Sequence, residues 1–218
     1  MQQLVGRIIA CAVGGVLAAL VSRCWVQRLQ RQRELEYFLS RRTEFILLAA
    51  MAMLGAVIGG VTHGLAAPIL ALALLTVCLT ASVIDWTYRL IPNQTVLAVL
   101  GLKAALCVLA LLRIPGLPPV NLIQSFVGLV VCFAAFFLPG LFGKAVGAGD
   151  VKLAAALGFF LGFDHALLGI VIMGLLVLAY MLVQRRVPIV RFLKTNIPMG
   201  PFITAGMFLA FLRTAPML

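Results

Sequence analysis

Residues 66–93 read AAPILALALLTVCLTASVIDWTYRLIPN. From Ala66 to Ile84 no residue carries a charge. A helix of that length rises about 1.5 Å per residue and covers the roughly 30 Å hydrocarbon core of a bilayer. The run then stops at Asp85. Trp86 and Tyr88 suit the headgroup level, and Pro92 with Asn93 breaks the helix and opens a turn. This stretch reads as a transmembrane helix with a carboxylate at its end.

The pattern repeats along the chain. Apolar runs lie at about 4–22, 45–62, 66–84, 95–112, 121–139, 151–163, 166–183 and 198–212. They predict an all-α, polytopic membrane protein of about eight transmembrane helices. The hydrophobic share is 64% of 218 residues, well above that of a soluble domain. Residues 1–22 make the first span, 23–44 a short basic cytoplasmic loop, and 45–218 the membrane-embedded core. The first run resembles a signal peptide, but its positive flank follows it, which favours a retained span with the N-terminus outside.

Charge sets the orientation. Seventeen basic residues oppose six acidic ones. With the N-terminus outside, loops 23–44, 85–94, 140–150 and 184–197 share a side and, with Lys152, hold thirteen of the basic residues. Arg7, Arg113 and Arg213 fall on the other. The positive-inside rule makes the first side cytoplasmic and explains the basic balance without nucleic acid. Loop 23–44 then lies against anionic headgroups, as an orientation anchor or a helical extension of the spans. Lys103 sits inside the fourth run, where it either snorkels or pairs with a carboxylate. Cys11, Cys24, Cys78, Cys107 and Cys132 show no CxxC spacing, so neither a metal site nor a disulfide framework is expected. His63, in a tight turn, reads as polar filler. Asp164 and His165 punctuate the gap between the sixth and seventh runs.

A second carboxylate stands at the same membrane face. Gly147-Ala148-Gly149-Asp150-Val151-Lys152 follows a glycine-rich linker and opens the short sixth run. Charged groups at membrane depth are rare and usually functional. Two carboxylates held close cannot both ionise cheaply, so they share a proton. The ionised partner can accept a proton from water while the protonated one donates to a carbonyl oxygen, the arrangement of aspartic proteases. Gly147 and Gly149 permit positive φ and close approach of a substrate backbone. Lys152 is an interfacial anchor or a group that tunes the acid or binds substrate. The bland alternatives are that Asp150 caps the sixth helix and that Asp85 pairs with Arg89 one turn on.

Taken together the motifs are more specific. Asp85 with Arg89-Leu90-Ile91-Pro92-Asn93 resembles the first active-site motif of the type IV prepilin peptidases. Gly147 to Lys152 resembles their GxGDxK signature, and Pro198-Met199-Gly200-Pro201 is similar to the opening of their last span. Glu44 is a looser match to a glutamate of that family. The resemblance covers roughly residues 44–212. It implies a membrane aspartic endopeptidase that removes the short basic leader of prepilins, or of type II secretion pseudopilins, at the cytoplasmic face of the bacterial inner membrane. Asp85 and Asp150 would be the catalytic pair. Gly147, Gly149, Lys152, Arg89, Pro92, Asn93, Glu44, Pro198, Gly200 and Pro201 would support the site or bind substrate. No cofactor is expected. Bifunctional relatives carry a large cysteine-rich loop for zinc and N-methylation. Here the loop holds one cysteine, Cys24, so methyltransferase activity is expected to be absent. Two other classes compete: a proton- or cation-coupled transporter component, and a non-catalytic pilus or secretion assembly factor. No internal repeat supports the first.

Overall fold

The computed structural model describes residues 2–32, 41–62, 66–112, 120–141, 147–183 and 198–214. Among the described residues there are eight α-helices and no strand. They are α1 (Gln2–Gln32), α2 (Arg41–Val61), α3 (Ala66–Tyr88), α4 (Asn93–Leu111), α5 (Leu122–Leu141), α6 (Ala148–Leu161), α7 (Phe163–Val183) and α8 (Gly200–Thr214). The chain is an all-α polytopic membrane protein. Each predicted run corresponds to one helix. Five of them, α1, α3, α4, α5 and α7, are long and apolar enough to cross a bilayer, while α2 contributes the shorter apolar stretch Leu47–Val61 and α8 the stretch Gly200–Arg213. At 14 residues α6 spans only about 21 Å.

Two boundaries differ from the sequence reading. Helix α1 continues to Gln32, so of the two readings left open for this stretch, loop and helical extension, residues 23–32 take the second. Beyond Ser22 the helix gains a tertiary partner: Val26 and Leu29 pack on Ile84, with Trp25 and Tyr88 beside them. The second difference is the break between α6 and α7. Asp164 and His165 lie in the first turn of α7, and the chain breaks at Gly162 (φ 84), where a side chain would be strained. His63 and the loops 113–119, 142–146 and 184–197 lie outside the described residues.

Helix directions follow from paired contacts. Ser22 meets Thr80 (2.9 Å) and Gln30 Nε2 donates to the Tyr88 hydroxyl (2.8 Å), so α1 and α3 run parallel. Arg7 donates to the Thr62 carbonyl (3.1 Å), tying the start of α1 to the end of α2, antiparallel. Helix pairs α1/α2, α5/α6 and α7/α8 are drawn together at glycines. Gly15 lies on the Met51 carbonyl and Gly55 on the Cys11 carbonyl. Gly158 lies against Gly128 and Cys132, and Gly206 against Gly169. In lipid, helices gain little from the hydrophobic effect on meeting, so small residues that let backbones approach are a main source of association.

Helix α3 is the hub. Its apolar window is 61% buried, against 11–22% for the other four long helices. Ala67, Ala71, Leu74 and Ala81 are fully buried, and α1, α2, α4 and α8 surround it. The exposed faces of the other long helices, such as Leu4, Val5, Ile9 and Val13 on α1, are apolar as lipid contact demands.

Candidate active site

Asp85 lies in the last turn of α3 and is 5% exposed. Its Oδ2 accepts the Gly200 backbone N–H at 2.7 Å. That N–H is one of the donors a helix leaves without an intrahelical partner at its N-terminus, so the start of α8 and the carboxylate satisfy each other. The approach needs a glycine. A Cβ on Gly200 would sit 2.7 Å from Asp85 Oδ2 and 2.8 Å from Asp85 Cβ. One turn deeper the same helices touch again, through Ser82 Oγ and Thr204 Oγ1 at 2.6 Å.

After Asp85 the chain leaves α3 sharply. Its carbonyl accepts the Arg89 N–H at 2.8 Å, and Arg89 has φ 52, a left-handed conformation that no other non-glycine among the described residues adopts. Such a residue costs about 1–2 kcal/mol. The turn brings buried Pro92 to the cap of α4, where the Thr95 hydroxyl donates to the Pro92 carbonyl at 2.7 Å. Arg89 and Asn93 are exposed, and the Arg89 charge bears on Asp85.

Asp150 is carried by α6. The cap of this helix is Gly147, with φ −59, ψ 129 and no side-chain capping bond. Asp150 is therefore in the first turn and is not the N-cap. Its Oδ1 is buried and has no hydrogen-bond partner among the described residues. An unpaired buried carboxylate oxygen is costly and calls for an explanation. Asp150 precedes the apolar part of α6 and lies outside the five long spans. Burial, and then the Asp85 charge, push its carboxyl up to about 6.

The two motif segments meet. A Cβ on Gly149 would lie 2.9 Å from the Ile91 Cβ, so α6 packs its first turn on the turn that follows Asp85. Lys152 Nζ donates to Asn93 Oδ1 at 3.4 Å. Neither Gly147 nor Gly149 uses positive φ, contrary to the expectation from sequence. Helix α6 already starts at Ala148, so what Gly149 provides is room for Ile91. For Gly147 a Cβ would lie 2.8 Å from Asp150 Oδ2, which leaves the carboxylate free to fold back over the cap.

A model of the type IV leader peptidase family matches residues 72–182, just over half of the chain. The chain belongs to the type IV leader peptidase family. No curated protein and no solved structure matches it significantly. The matched range holds both aspartates and both motifs of this family member, while Glu44 and Pro198–Pro201 fall outside it.

Pro198 and Pro201 flank the start of α8, and the Met199 carbonyl accepts the Phe202 and Ile203 N–H groups at 3.1 and 3.0 Å. Glu44 lies in α2, but its side chain is outside the described residues. Lys103 does not snorkel, and among the described residues it meets no carboxylate. It is 4% exposed, donates to the Phe160 carbonyl at 2.9 Å, and lies 5.9 Å from the ring centroids of Phe159 and Phe160. No group of three or more His, Cys, Asp or Glu suited to a metal occurs among the described residues.

Sequence reasoning placed Gly200 in a supporting set but not on Asp85. It passed over Ser82 and Thr204. A hydroxyl in an apolar span offers little local signal, since serine and threonine commonly bond their own helix carbonyls four residues back. Each has that carbonyl within reach here: Ser82 the Cys78 carbonyl at 2.7 Å and Thr204 the Gly200 carbonyl at 2.9 Å.

Proposed function

We propose that this member of the leader peptidase family is an aspartic endopeptidase that cuts the short basic leader from prepilins or type II secretion pseudopilins at the cytoplasmic membrane boundary. Asp85 and Asp150 are the catalytic pair of this reading. The observation that carries it is the buried Oδ1 of Asp150, without a partner among the described residues, on a short helix whose first turn packs on the turn after Asp85. One proton is shared between the carboxyls. The ionised one takes a proton from water, and the hydroxide oxygen bonds to the scissile carbonyl carbon. The protonated one gives its proton to the carbonyl oxygen as the double bond opens. Collapse of that intermediate expels the amine, which receives a proton from the carboxyl that took one from water, while a hydroxyl of the diol returns its proton to the other carboxyl and restores the pair.

The substrate enters as a helix whose apolar stem lies in the bilayer. It contacts the apolar outer faces of the long helices by packing in lipid. Lys152, Arg89 and Asn93, exposed beside the pair, are positioned to meet the polar segment around the cut. The reaction draws on no cofactor or metal, and the short loop after the first span leaves N-methylation of the product to another protein.

The test is cleavage of a prepilin in reconstituted vesicles by wild type, Asp85→Asn and Asp150→Asn, each checked for insertion. Asparagine keeps the volume and removes the ionisable group. Wild type cuts, and each variant loses at least about 1,000-fold, as for groups that act as a unit. The same vesicles transfer no methyl group from S-adenosylmethionine to the cut product. Cleavage by either variant at near wild-type rate removes the pair, and ion flux without cleavage favours a transporter.

A further inference from the structure

The two carboxyls are not equivalent in their surroundings. Asp85 is held by an amide donor, whereas Asp150 Oδ1 faces no donor among the described residues. An N–H can only donate, so Asp85 Oδ2 serves as an acceptor, and a bond of this kind favours the ionised form of the group it reaches. What aims the donor is the placement of α8 against α3. Two contacts define it, one turn apart. Gly200 on Asp85 is the first, and Thr204 on Ser82 is the second.

Resting on the catalytic pair proposed above, we infer that Ser82 and Thr204 are a positioning pair. Their interhelical hydrogen bond holds α8 in the register that keeps the Gly200 N–H on Asp85, and so makes Asp85 the base and Asp150 the acid.

The geometry is continuous. Thr204 is 2% exposed, Gly200 is buried, and Ile203 and Met207 on the same helix are fully buried. The Ser82 and Thr204 hydroxyls hold one proton each. Either Ser82 donates to Thr204, which donates to the Gly200 carbonyl, or Thr204 donates to Ser82, which donates to the Cys78 carbonyl. In both arrangements one proton lies between α3 and α8 and the other closes a turn of one helix. Among the described residues neither side chain hydrogen-bonds to a carboxylate, so both act through Gly200. The cleft between α8 and α3 offers no slack for compensation, because a Cβ at Gly200 already overlaps Asp85. The charged groups that bear on the two carboxyls are Arg89 on Asp85 and Asp85 on Asp150. None of them belongs to the Ser82–Thr204 contact.

The experiment uses the full chain in vesicles with a prepilin substrate and compares Thr204→Val, Ser82→Ala and Thr204→Ser. Valine keeps the shape of threonine without its hydroxyl, serine keeps the hydroxyl, and Ser82→Ala removes the bond from the other helix without adding volume. Thr204→Val and Ser82→Ala should each lower kcat about 10- to 100-fold, the loss expected when a catalytic group is misplaced by about an ångström, with KM within about twofold of wild type. The acid limb of the kcat profile should move to higher pH, since Asp85 loses the donor that favours its ionised form. Combining the two changes should cost little more than either alone, because one bond is lost in each case. Thr204→Ser should restore both kcat and the profile. An inactive Asp85→Asn control beside Thr204→Val and Ser82→Ala enzymes with wild-type kcat and profile overturns the positioning pair alone. An Asp85→Asn control that still cuts overturns the catalytic pair, and the positioning role with it. A raised KM at unchanged kcat also overturns it, since that reports substrate contact instead of alignment.

Discussion

Asp150 stores the unfavourable electrostatics of the site in one side chain. Its carboxyl is pushed from its usual 3.8 up to about 6 by burial and by the Asp85 charge. Because the folded value is the higher one, the folded state binds the proton more tightly than the unfolded chain does. Above about pH 6 the buried carboxylate is ionised and destabilises the fold, and that penalty is relieved as pH falls toward 3.8. Asp150→Asn should therefore raise the thermal unfolding midpoint in detergent at about pH 8 and raise it much less near pH 4. A midpoint that falls at both values would mean the carboxylate is a stabilising group. The same side chain would explain a stability–activity trade: the variant that unfolds later is the one that no longer cuts. Gly200 shows the complementary economy. It has no side chain because Asp85 occupies that space, and its amide supplies the bond that a polar side chain would otherwise have to provide.

At the scale of the element, α6 is the unusual helix. It is too short to cross the hydrocarbon; its N-terminal end is exposed at Gly147 and Ala148, while Phe160 near its C-terminal end is buried in the core. Its N-terminal end carries Asp150, and its C-terminal end stops at Gly162. A helix leaves its last four carbonyls without intrahelical partners, and in lipid no water replaces them. Lys103 of α4 meets this need by donating to the Phe160 carbonyl, with its charge at the negative end of the helix dipole and over two aromatic rings. Lys103→Met keeps the stem and removes the donor. It should destabilise the protein by about 1–3 kcal/mol, the cost of an unsatisfied buried carbonyl. Hydrogen exchange of the last α6 turn should quicken while α3 is unchanged. Unaltered exchange and midpoint would show that the carbonyl finds another partner. The sequence left Lys103 undecided because both snorkelling and carboxylate pairing are open to a lysine in a span, and the deciding partner is a backbone oxygen 57 residues away.

Over the whole molecule the helices alternate in direction, and that places the functional ends together. The C-terminal end of α3, the N-terminal ends of α6 and α8, and the extended C-terminal half of α1 share one end of the bundle. Basic loops by sequence lie at the same end, and from the positive-inside rule we propose that this end faces the cytoplasm. Cys24 is exposed on α1 at this end, whereas Cys11, Cys78 and Cys132 are buried. A membrane-impermeant maleimide should therefore label Cys24 in inside-out vesicles and spare it in right-side-out ones. The opposite pattern would invert the topology and move the carboxyls to the outer face.

How much was legible in the sequence differs between fold and site, for a physical reason. A bilayer constrains each segment separately: apolar length, charge count and the basic flanks are local properties, and they determined the eight helices, the all-α class and the shared face of Asp85 and Asp150. Motif spacing then pointed to the family that the match over residues 72–182 establishes. Whether residues 23–32 continue α1 was not settled by the sequence, because they mix polar and apolar residues and become a tertiary element only where Val26 and Leu29 find Ile84. Nor was the bond from Gly200 to Asp85, which joins residues 115 apart. Ser82 and Thr204 look locally like any hydroxyls that bond their own helix. Their meeting, the room that Gly149 leaves for Ile91, and the carbonyl that Lys103 reaches are properties of helix against helix. Only the tertiary structure decided them, because in lipid the pairing of helices depends on which small and polar groups come into contact, and that contact is not encoded in any one segment.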